Sequence, residues 1–518
     1  MKSLKLSLTI AATIGLMACG SNDDGSKGEN GLNSLIASEV LSMGDDACFF
    51  GGVKITSGLD QNNDNVLSND EINEDNTQYN CNPNSVSSAG SPLPYSVMNG
   101  DIDDGAKPGS KMEIRNGGFG SDMVAHPTEP TYFYALTDRG PNATFTGTEG
   151  KGKIFPTPDY TPRIGLFELQ ANGDVKKIKD ILLKRPDGTP ITGLPNTAAL
   201  GGTGETPYDV DGNVITVDST QPYDPETNPI KLDDSGLDGE GLVALSDGSF
   251  WVSDEYGPHM VHFNADGVEI GRINPFANDE RNNFTLPAEF ANRRANRGME
   301  GLAVTPDEKT LVGIMQSTMY NPSSAVKVND IVRIVTVHLE TGDVSQYLYK
   351  QEKTQNSQSG IVALSATEFL VIERDGNFYN EDPTAMKHIY KIDISAATNL
   401  ETITASGNVT QDAELGLLID GKTLEEVALE SGWDTITDAG IQPVSKTFIV
   451  DLVAEVSYPH DKLEGMWLIN DSTIGVLNDD DFAAWASGGV LEQKYLDAGQ
   501  TVIDGNRLYI IEGIDLGK

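Results

Sequence analysis

Short apolar runs separated by glycine-containing turns are the dominant pattern along this chain. Residues 237–255 show it most clearly. An apolar run opens at Glu240, the chain reverses at Gly248, and a second apolar run returns to Glu255. Two short runs around such a turn are typical of a β-hairpin. The pattern therefore predicts a hairpin with acidic side chains at both of its ends.

The same hairpin pattern recurs four more times, over residues 120–139, 300–316, 360–375 and 464–480. A lone hairpin cannot bury its faces, so the copies are expected to pack against one another. Closed radial packing of such units gives a β-propeller, whose blades are small antiparallel sheets around a channel. The sequence predicts this all-β fold, and a weaker unit over residues 405–455 raises the expected number to about six blades.

The repeat places acidic side chains at one mouth of the predicted channel. In an antiparallel hairpin the first strand starts on the side where the second strand ends. One rim is therefore expected to carry Glu240, Asp254, Glu255, Glu300, Glu373, Glu464, Asn478 and Asp479. Carboxylates that crowd one rim either raise each other's pKa or bind a cation. Oxygen ligands without thiolates suit calcium or magnesium.

Further strand-end residues widen the candidate site. Asp138 and Arg139 end the second run of the 120–139 copy, and Arg374 follows Glu373. The two arginines could bind an anionic substrate in bidentate fashion. The alternative for each acidic residue is a structural role, in which its carboxylate accepts backbone N–H hydrogen bonds and fixes the blade geometry.

Charge and composition restrict the class of partner. The chain has 78 acidic against 36 basic residues and a formal net charge of −42. Nucleic acid is therefore excluded as a partner, and an anionic membrane surface is an unfavourable one. The 54 glycines and a hydrophobic fraction of 38% fit a turn-rich β protein. There is no G-x-S-x-G, H-E-x-x-H or C-x-x-C motif to signal a more familiar chemistry.

The N-terminus has the features of an export signal. Residues 1–19 carry two lysines and then an apolar run that is too short to span a membrane. The run ends Leu16-Met17-Ala18-Cys19, which resembles the bacterial lipoprotein box, so Cys19 is expected to carry lipid. Residues 20–33 are a polar tether. We expect a lipid-anchored protein of the bacterial cell envelope, at the outer membrane because no acidic residue directly follows Cys19.

Residues 34–85 are predicted to form a small module closed by a disulfide. With Cys19 assigned to lipid, Cys48 and Cys81 are the remaining cysteines and are expected to pair in an oxidising compartment. Residues 86–94 are a predicted linker, and residues 95–518 are assigned to the propeller. Residues 184–235 interrupt its repeat with a long insertion, which is expected to lie near the channel mouth.

Inside the disulfide loop, residues 60–71 fit the template of a calcium-binding loop. The predicted ligands are Asp60, Asn62, Asp64, Val66, Ser68 and Glu71. Asn65 stands where glycine is usual, and Asn is the next most tolerant residue of positive φ. Residues 49–55 upstream have the pattern of a strand instead of the usual helix. The sequence thus predicts half of an EF-hand, with a plain Asn/Asp-rich turn as the alternative.

Several of these motifs resemble, in the same order, those of the phytase-like family described as "esterase-like activity of phytase". The matching segments are residues 137–141, 238–242, 299–303, 372–375, 463–466, 478–482 and Lys446. The resemblance covers roughly residues 95–518. It implies a propeller hydrolase of bacterial envelopes, but it implies the substrate only weakly because the family description is broader than one reaction.

Two classes of function follow. The first is a metal-dependent hydrolase that cleaves a small-molecule ester or phosphoester in the carboxylate-ringed channel. The scarcity of basic residues in the chain weakens the case for a phosphate substrate. The second is a non-catalytic, calcium-binding surface protein that uses the propeller as a recognition platform.

Overall fold

The computed structural model of the protein describes residues 31–517. The predictions for the signal peptide, for lipid on Cys19 and for residues 20–30 lie outside this range. Within it, no helix is both long and apolar enough to cross a membrane. The chain divides into two compact units. One comprises residues 31–85 with the short segments 129–131 and 171–173, and the other comprises the rest of the described chain.

The first unit is a three-stranded antiparallel sheet. Its strands, in spatial order, are β1 (Ser34–Met43), β2 (Phe50–Leu59) and β3 (Gln78–Cys81). The predicted disulfide between Cys48 and Cys81 is confirmed. At Gly52 of β2, a Cβ atom would lie 2.5 Å from the carbonyl oxygen of Asn80, so glycine is required for β3 to pair at this point.

The second unit begins with three strands, β4 (Ser91–Pro92), β5 (Val97–Asp103) and β6 (Lys111–Arg115). The chain then forms β7 (Asp122–Ala125), β8 (Tyr132–Leu136), β9 (Ala143–Gly147), β10 (Gly150–Ile154), β11 (Arg163–Leu169), β12 (Val175–Leu182) and β13 (Thr206–Tyr208). Blade 1 is the sheet β7-β8-β11-β12. The hairpin β9–β10 projects from it between β8 and β11. Strand β13 belongs to the long insertion and pairs in parallel with β10.

Blades 2 and 3 are continuous in sequence. Blade 2 contains β14 (Gly239–Ala244), β15 (Phe250–Asp254), β16 (His259–Phe263), β17 (Glu269–Asn274) and β18 (Asn282–Thr285). Blade 3 contains β19 (Met299–Val304), β20 (Thr310–Met315), β21 (Ile331–His338) and β22 (Val344–Lys350). Strand β21 is buried along almost its whole length, as expected for a β-branched strand that is packed on both faces.

Blade 4 encloses a small α/β insertion. The chain forms β23 (Ser357–Ala363), β24 (Glu368–Arg374), β25 (Lys387–Asp393), β26 (Val409–Asp412), β27 (Gly416–Ile419), β28 (Lys422–Thr423), α1 (Leu424–Ser431), α2 (Trp433–Asp438), β29 (Ser445–Asp451) and α3 (Leu452–Val456). The blade itself is β23-β24-β25-β29, and β26, β27 and β28 form a separate sheet.

Blade 5 joins the beginning and the end of the second unit. Its part of the chain forms β30 (Gly465–Asn470), β31 (Thr473–Leu477), β32 (Ala484–Ser487), β33 (Val490–Gln493) and β34 (Arg507–Glu512). The blade is β30-β31-β34-β4, so the N-terminal strand β4 pairs with the C-terminal strand β34. Residues 86–94, predicted to be only a linker, therefore contribute an outer strand to the propeller.

The first strands of the five blades close into a ring around the channel. They pack side by side in the order β7, β14, β19, β23 and β30, and β30 packs against β7. The predicted all-β propeller is thus confirmed, but residues 31–517 form five blades and not about six. Residues 405–455 form no blade of their own, because their apolar side chains pack with one another and against Ile331 and Leu348 of blade 3.

The core lies between neighbouring blades. Between blades 1 and 2, for example, Leu136 and Ile164 pack with Leu242 and Val252. The glycine of the Glu-Gly motif, which opens inner strands, is required for a steric reason. A Cβ atom on Gly241 would lie 2.6 Å from the backbone nitrogen of Leu302 in the next blade. The glycine therefore lets two inner strands approach, and it sets the glutamate before it at the end of the channel.

Candidate active site

A cavity of about 290 Å³ lies at the end of the channel where the inner strands begin. Seven of the predicted site residues line it: Asp138, Arg139, Glu240, Glu255, Glu300, Arg374 and Glu464. These seven residues come from all five blades. In blade 4 the predicted residue, Arg374, lies on β24, and the inner strand β23 contributes Ser357 to the lining. The repeat thus predicted correctly that strand starts and strand ends from different blades meet at one mouth.

The cavity is rich in both signs of charge. Its acidic residues are Asp138, Glu240, Glu255, Glu300, Glu464 and Asp481, and its basic residues are Arg139, Lys153, Arg297, Arg374 and Lys462. In the whole chain acidic residues outnumber basic ones by more than two to one. The bases are therefore concentrated here, five of them against six acidic residues, although their scarcity in the whole chain weakened the case for a phosphate substrate.

Glu240 occupies the most acidic part of the cavity. Burial raises the pKa of its carboxyl well above the usual range, and the nearby Glu300 and Asp238 raise it further. Together with Glu255, Asp238 and Glu240 form the one group of three acidic residues within 31–517 that each offer one carboxylate oxygen within 4.8 Å of the other two. Such a set of oxygens is the donor chemistry that calcium and magnesium require.

Arg139 balances part of this charge. Its Nη2 lies 3.0 Å from Asp238 Oδ2 and 3.9 Å from Glu255 Oε2, and its Nη1 lies 3.3 Å from Glu205 Oε2. Glu205 comes from the long insertion, immediately before β13. The insertion therefore reaches the edge of the cavity and helps to fix the orientation of Arg139.

Gln316 connects two of the carboxylates. Its Nε2 donates hydrogen bonds of 2.7 Å to Glu255 Oε1 and to Glu300 Oε1. The second oxygen of Glu300 and the Oε2 of Glu464 are buried without a hydrogen-bond partner among the described residues. Burial raises the pKa of Glu300 to about 7 and that of Glu464 to about 8. Both groups can therefore exchange a proton near neutral pH.

Arg374 and Lys462 are held by fixed partners. The Arg374 guanidinium forms an ion pair with Glu464, and its Nε donates to Ser359 Oγ at 2.9 Å. Lys462 Nζ lies 2.6 Å from Asp479 Oδ2 and 2.7 Å from Asp481 Oδ1. Each of these two bases thus has an acidic side chain within ion-pair distance.

Lys153 and Arg297 differ from the other bases of the cavity. Neither has an acidic side chain within ion-pair distance among the described residues, and Arg297 Nη1 donates only to Ser357 Oγ at 3.2 Å. Burial lowers the pKa of Lys153, with Arg139 adding to the effect. Burial also lowers the pKa of Arg297, with Arg294 adding to it. Both side chains are partly buried, and a cation that loses water without gaining a paired acid is an expected feature of an anion-binding site.

Four predicted rim residues do not line the cavity. Asp254 accepts hydrogen bonds from the backbone N–H groups of Asp238, Tyr256 and Gly257. Glu373 pairs with Lys446 Nζ at 2.7 Å, on the opposite face of β24 from Arg374, because side chains alternate along a strand.

The other two residues also bind within the blade. Asn478 Oδ1 accepts from the backbone N–H of Arg507, and Asp479 pairs with Lys462. For all four residues the structural interpretation agrees better with the observed contacts than a ligand role does.

Several charged and polar residues of the site were not predicted from the sequence. They include Lys153, Asp238, Arg297, Gln316, Lys462 and Asp481. Asp238 and Gln316 lie inside the repeated motif, so their strand-end positions could have marked them. Lys153 lies on the hairpin β9–β10 and Arg297 lies just before β19, outside any repeated position, so no sequence signal pointed to them.

The predicted calcium loop lies between β2 and β3. Asp60 accepts hydrogen bonds from the backbone N–H groups of Asp64 and Asn65, at 3.1 and 3.0 Å. Glu71 accepts from the backbone N–H of Gln61 at 2.8 Å and from that of Ser68 at 3.0 Å. Asn65 has a φ of 60°, as its place in the template requires. The loop thus turns through a positive φ at Asn65, and its carboxylates accept hydrogen bonds from backbone N–H groups.

Comparison with known proteins gives a family and a relative. The family described as esterase-like activity of phytase matches residues 114–482, and a domain of unknown function (DUF7151) matches residues 33–81. An "uncharacterized secreted protein" of Arthroderma benhamiae is 27% identical over 384 residues, which cover 59% of this chain and 69% of the relative.

Solved structures resemble the chain only distantly. The PQQ-bound aldose sugar dehydrogenase of Streptomyces coelicolor has a TM-score of 0.27 and 8% identity, and covers 82% of this chain and 100% of its own. The periplasmic gluconolactonase of Pseudomonas aeruginosa has a TM-score of 0.28 and 12% identity, and covers 79% of this chain and 93% of its own. At such scores the description of the fold rests on the strand topology given above.

The family match, in contrast, covers more than half of the chain and includes every charged residue of the cavity. The protein therefore belongs to the phytase-like family.

Proposed function

We propose that the protein is a hydrolase that cleaves a phosphate ester in the cavity of its propeller. One observation carries this proposal. Two partly buried cations without acidic partners, Lys153 and Arg297, share a cavity of about 290 Å³ with carboxyl groups whose pKa values are raised toward neutrality. The cations suit the anionic part of a substrate, and the carboxyl groups suit the transfer of a proton.

The roles of the charged residues follow from their environments. Lys153 and Arg297 bind the phosphate oxygens, since both cations gain from an anion that the protein itself does not supply. Glu300, with a pKa of about 7, is ionised in about half of the molecules at neutral pH and takes a proton from the attacking water. Glu464, with a pKa of about 8, is mainly protonated at neutral pH. Its Oε1 then accepts from Arg374, and its partnerless Oε2 gives the proton to the leaving oxygen.

Asp238, Glu240 and Glu255 would hold a divalent cation such as calcium or magnesium. Their three carboxylates lie close enough to share one ion, and the partnerless Oε2 of Glu300 is a further buried oxygen in the same cavity. A bound cation would supply charge stabilisation to the substrate oxygens. The raised pKa of Glu240 means that the ion would replace a proton there, so its affinity is expected to increase with pH.

The proposed activity can be tested with a panel of esters. The purified protein is assayed against 4-nitrophenyl phosphate, bis(4-nitrophenyl) phosphate and 4-nitrophenyl butyrate, with calcium, magnesium or a chelator. Hydrolysis of the phosphate esters above the uncatalysed rate is expected, and it should decrease in chelator. Cleavage of the butyrate alone would point to a neutral ester, and cleavage of none would leave the non-catalytic calcium-binding surface protein as the better proposal.

We also propose an envelope location with a lipid anchor at Cys19, supported by the lipobox-like sequence and by the secreted relative. The variant Cys19→Ser is expected to move the protein from the membrane fraction to the soluble fraction of a bacterial host, because the lipid would have no attachment point. Fractionation followed by immunoblotting measures this. A variant that remains with the membrane would show that Cys19 is not the anchor.

Calcium binding by the loop at residues 60–71 is proposed as a second metal site, supported by its template and its backbone turn. Glu71→Ala removes the bidentate ligand and is expected to weaken calcium binding at this loop at least about tenfold. Calorimetric titration of the full chain should then lose one of two binding events. Glu74→Ala, an exposed acid just beyond the loop, is the matched control. An unchanged titration in Glu71→Ala would contradict the loop assignment.

A further inference from the structure

Trp485 is the one large aromatic side chain in the lining of a cavity that is otherwise charged, polar or small. Its side chain remains 40% exposed. The other three tryptophans of the chain lie outside the cavity, and two of them, Trp251 and Trp467, are buried. What distinguishes this indole from other exposed apolar side chains is its position, because it presents a large flat face to whatever the charged cavity binds.

The indole is held in place by the fold. Trp485 lies on β32, opposite Glu492 of β33, and β32 packs against the hairpin strand β9. The Lys494 ammonium lies 5.5 Å from the centre of the indole ring. Lys494 itself is fixed by ion pairs of 2.9 Å to Asp461 and 2.6 Å to Asp481. The ring therefore has a positioned cation over it, and the strand that carries the ring packs against β9. Both contacts restrict its motion.

The cavity that the indole lines has small side chains on the same two strands. Ala143 of β9 and Ala486 of β32 both line it. Lys153 and Asp481 line the same cavity, and Asp481 pairs with the Lys494 that lies over the indole. A substrate whose anion is bound by Lys153 and Arg297 would extend its remaining part along this wall.

We infer that Trp485 forms a leaving-group subsite, which binds a ring with a flat apolar face by stacking. This inference rests on the proposed function and deepens it: the substrate is an anionic ester in which the esterified group is a ring and not a linear chain. Aromatic rings and sugar rings both present such a face. Trp485 is thus a specificity-determining residue that orients the leaving group, and it takes no part in proton transfer.

Binding of non-hydrolysable ligands tests the subsite independently of activity. Phenylphosphonate and methylphosphonate carry the same anion and differ in the ring. Calorimetry of the wild-type protein is expected to show phenylphosphonate binding about three- to tenfold more tightly, as one aromatic stacking contact provides. In Trp485→Ala this preference should disappear while methylphosphonate affinity stays the same, and Trp485→Phe should keep part of it.

Two controls make the result specific. Trp433→Phe changes a tryptophan outside the cavity and should leave the preference unaltered. Phenylphosphonate should also protect the tryptophan fluorescence of the wild-type protein from quenching by acrylamide. It should give no such protection in Trp485→Phe. Equal preference in the wild type and in Trp485→Ala would overturn the subsite. If both phosphonates bind as expected but no ester is hydrolysed, the proposed function fails and the subsite stands.

Hydrolysis distinguishes the two kinds of ring. The ratio of kcat/KM between Trp485→Ala and the wild type is measured for 4-nitrophenyl phosphate, glucose 1-phosphate and glycerol 3-phosphate, so that the intrinsic reactivity of each ester cancels. A decrease confined to the first substrate assigns the subsite to aromatic groups, and a decrease confined to the second assigns it to sugars. An equal decrease for all three, glycerol 3-phosphate included, would contradict recognition of a ring.

Discussion

Glu300→Gln is expected to lower the rate of ester hydrolysis by about a hundredfold or more, because it removes the group that accepts a proton from water. The same substitution keeps the shape of the side chain. Its oxygen can still accept the hydrogen bond that Gln316 Nε2 now donates at 2.7 Å. The loss should therefore appear in kcat, with little change in the affinity for a phosphonate ligand.

Although Glu300→Gln is expected to lower activity, it should increase the stability of the protein above neutral pH. Burial raises the pKa of Glu300 to about 7, so the folded protein binds its proton more tightly than the unfolded chain does. The corresponding stability is fully present below the unfolded pKa and is lost as pH increases through about 7. Glu300→Gln removes this dependence. In chelator, its Tm should match that of the wild type at pH 5 and exceed it at pH 8, as scanning calorimetry can measure.

Glu373→Gln is the matched control for Glu300→Gln. Glu373 is equally buried and ends a strand of the neighbouring blade, but its carboxylate pairs with Lys446 and lies outside the cavity lining. This variant should lose stability, because a buried ion pair is broken, and should retain activity. Equal losses of activity in both variants would indicate that buried acids act only through stability.

The second large effect is expected from the two unpaired cations. Lys153→Met and Arg297→Met should each raise KM for a phosphate ester about ten- to hundredfold, which corresponds to one charge-assisted hydrogen bond. Neither variant should lose stability in the absence of ligand, because burial lowers the pKa of both cations and no acidic partner is left unpaired. Initial rates over a range of substrate concentrations measure the KM values.

Two neighbouring bases provide controls for this prediction. Lys151 is an exposed lysine on the same strand as Lys153, and Arg294 precedes Arg297 and donates to Gln355 at 3.2 Å. Neither lines the cavity. Lys151→Met and Arg294→Met should leave KM within about twofold of the wild type if the effect is due to contact with the substrate and not to long-range charge.

The propeller was predictable because its repeat joins two physical requirements. The period-2 apolar pattern specifies the strands, and the glycine after each glutamate permits inner strands to approach, as the 2.6 Å distance at Gly241 shows. Blade number was less predictable. The strands at residues 405–455 have the composition of a blade, but their apolar residues pack on Ile331 and Leu348 of blade 3. Only tertiary packing distinguishes these outcomes.

The site was predictable only where it follows the repeat, which includes Arg139 and Arg374 as well as acidic residues. Glu240, Glu300 and Glu464 share one position of the repeat, and the repeat fixes where that position lies. Lys153 and Arg297 come from a hairpin and a connection that occur once, so the sequence does not show that they converge. The alternation of side chains along β24 also decides which of two adjacent residues enters the site. Arg374 faces the cavity, whereas Glu373 lies on the opposite face of the strand. A shift of the strand register by one residue would exchange their positions.

Phosphate release from 4-nitrophenyl phosphate by two double variants tests the central claim most directly. One variant, Lys153→Met with Arg297→Met, removes both unpaired cations from the cavity. The other, Lys151→Met with Arg294→Met, removes the same charge just outside it. We predict that kcat/KM falls at least about a hundredfold in the first and less than about threefold in the second. Equal activity of the two double variants, or equal losses in both, would contradict a phosphate-ester site built around these cations.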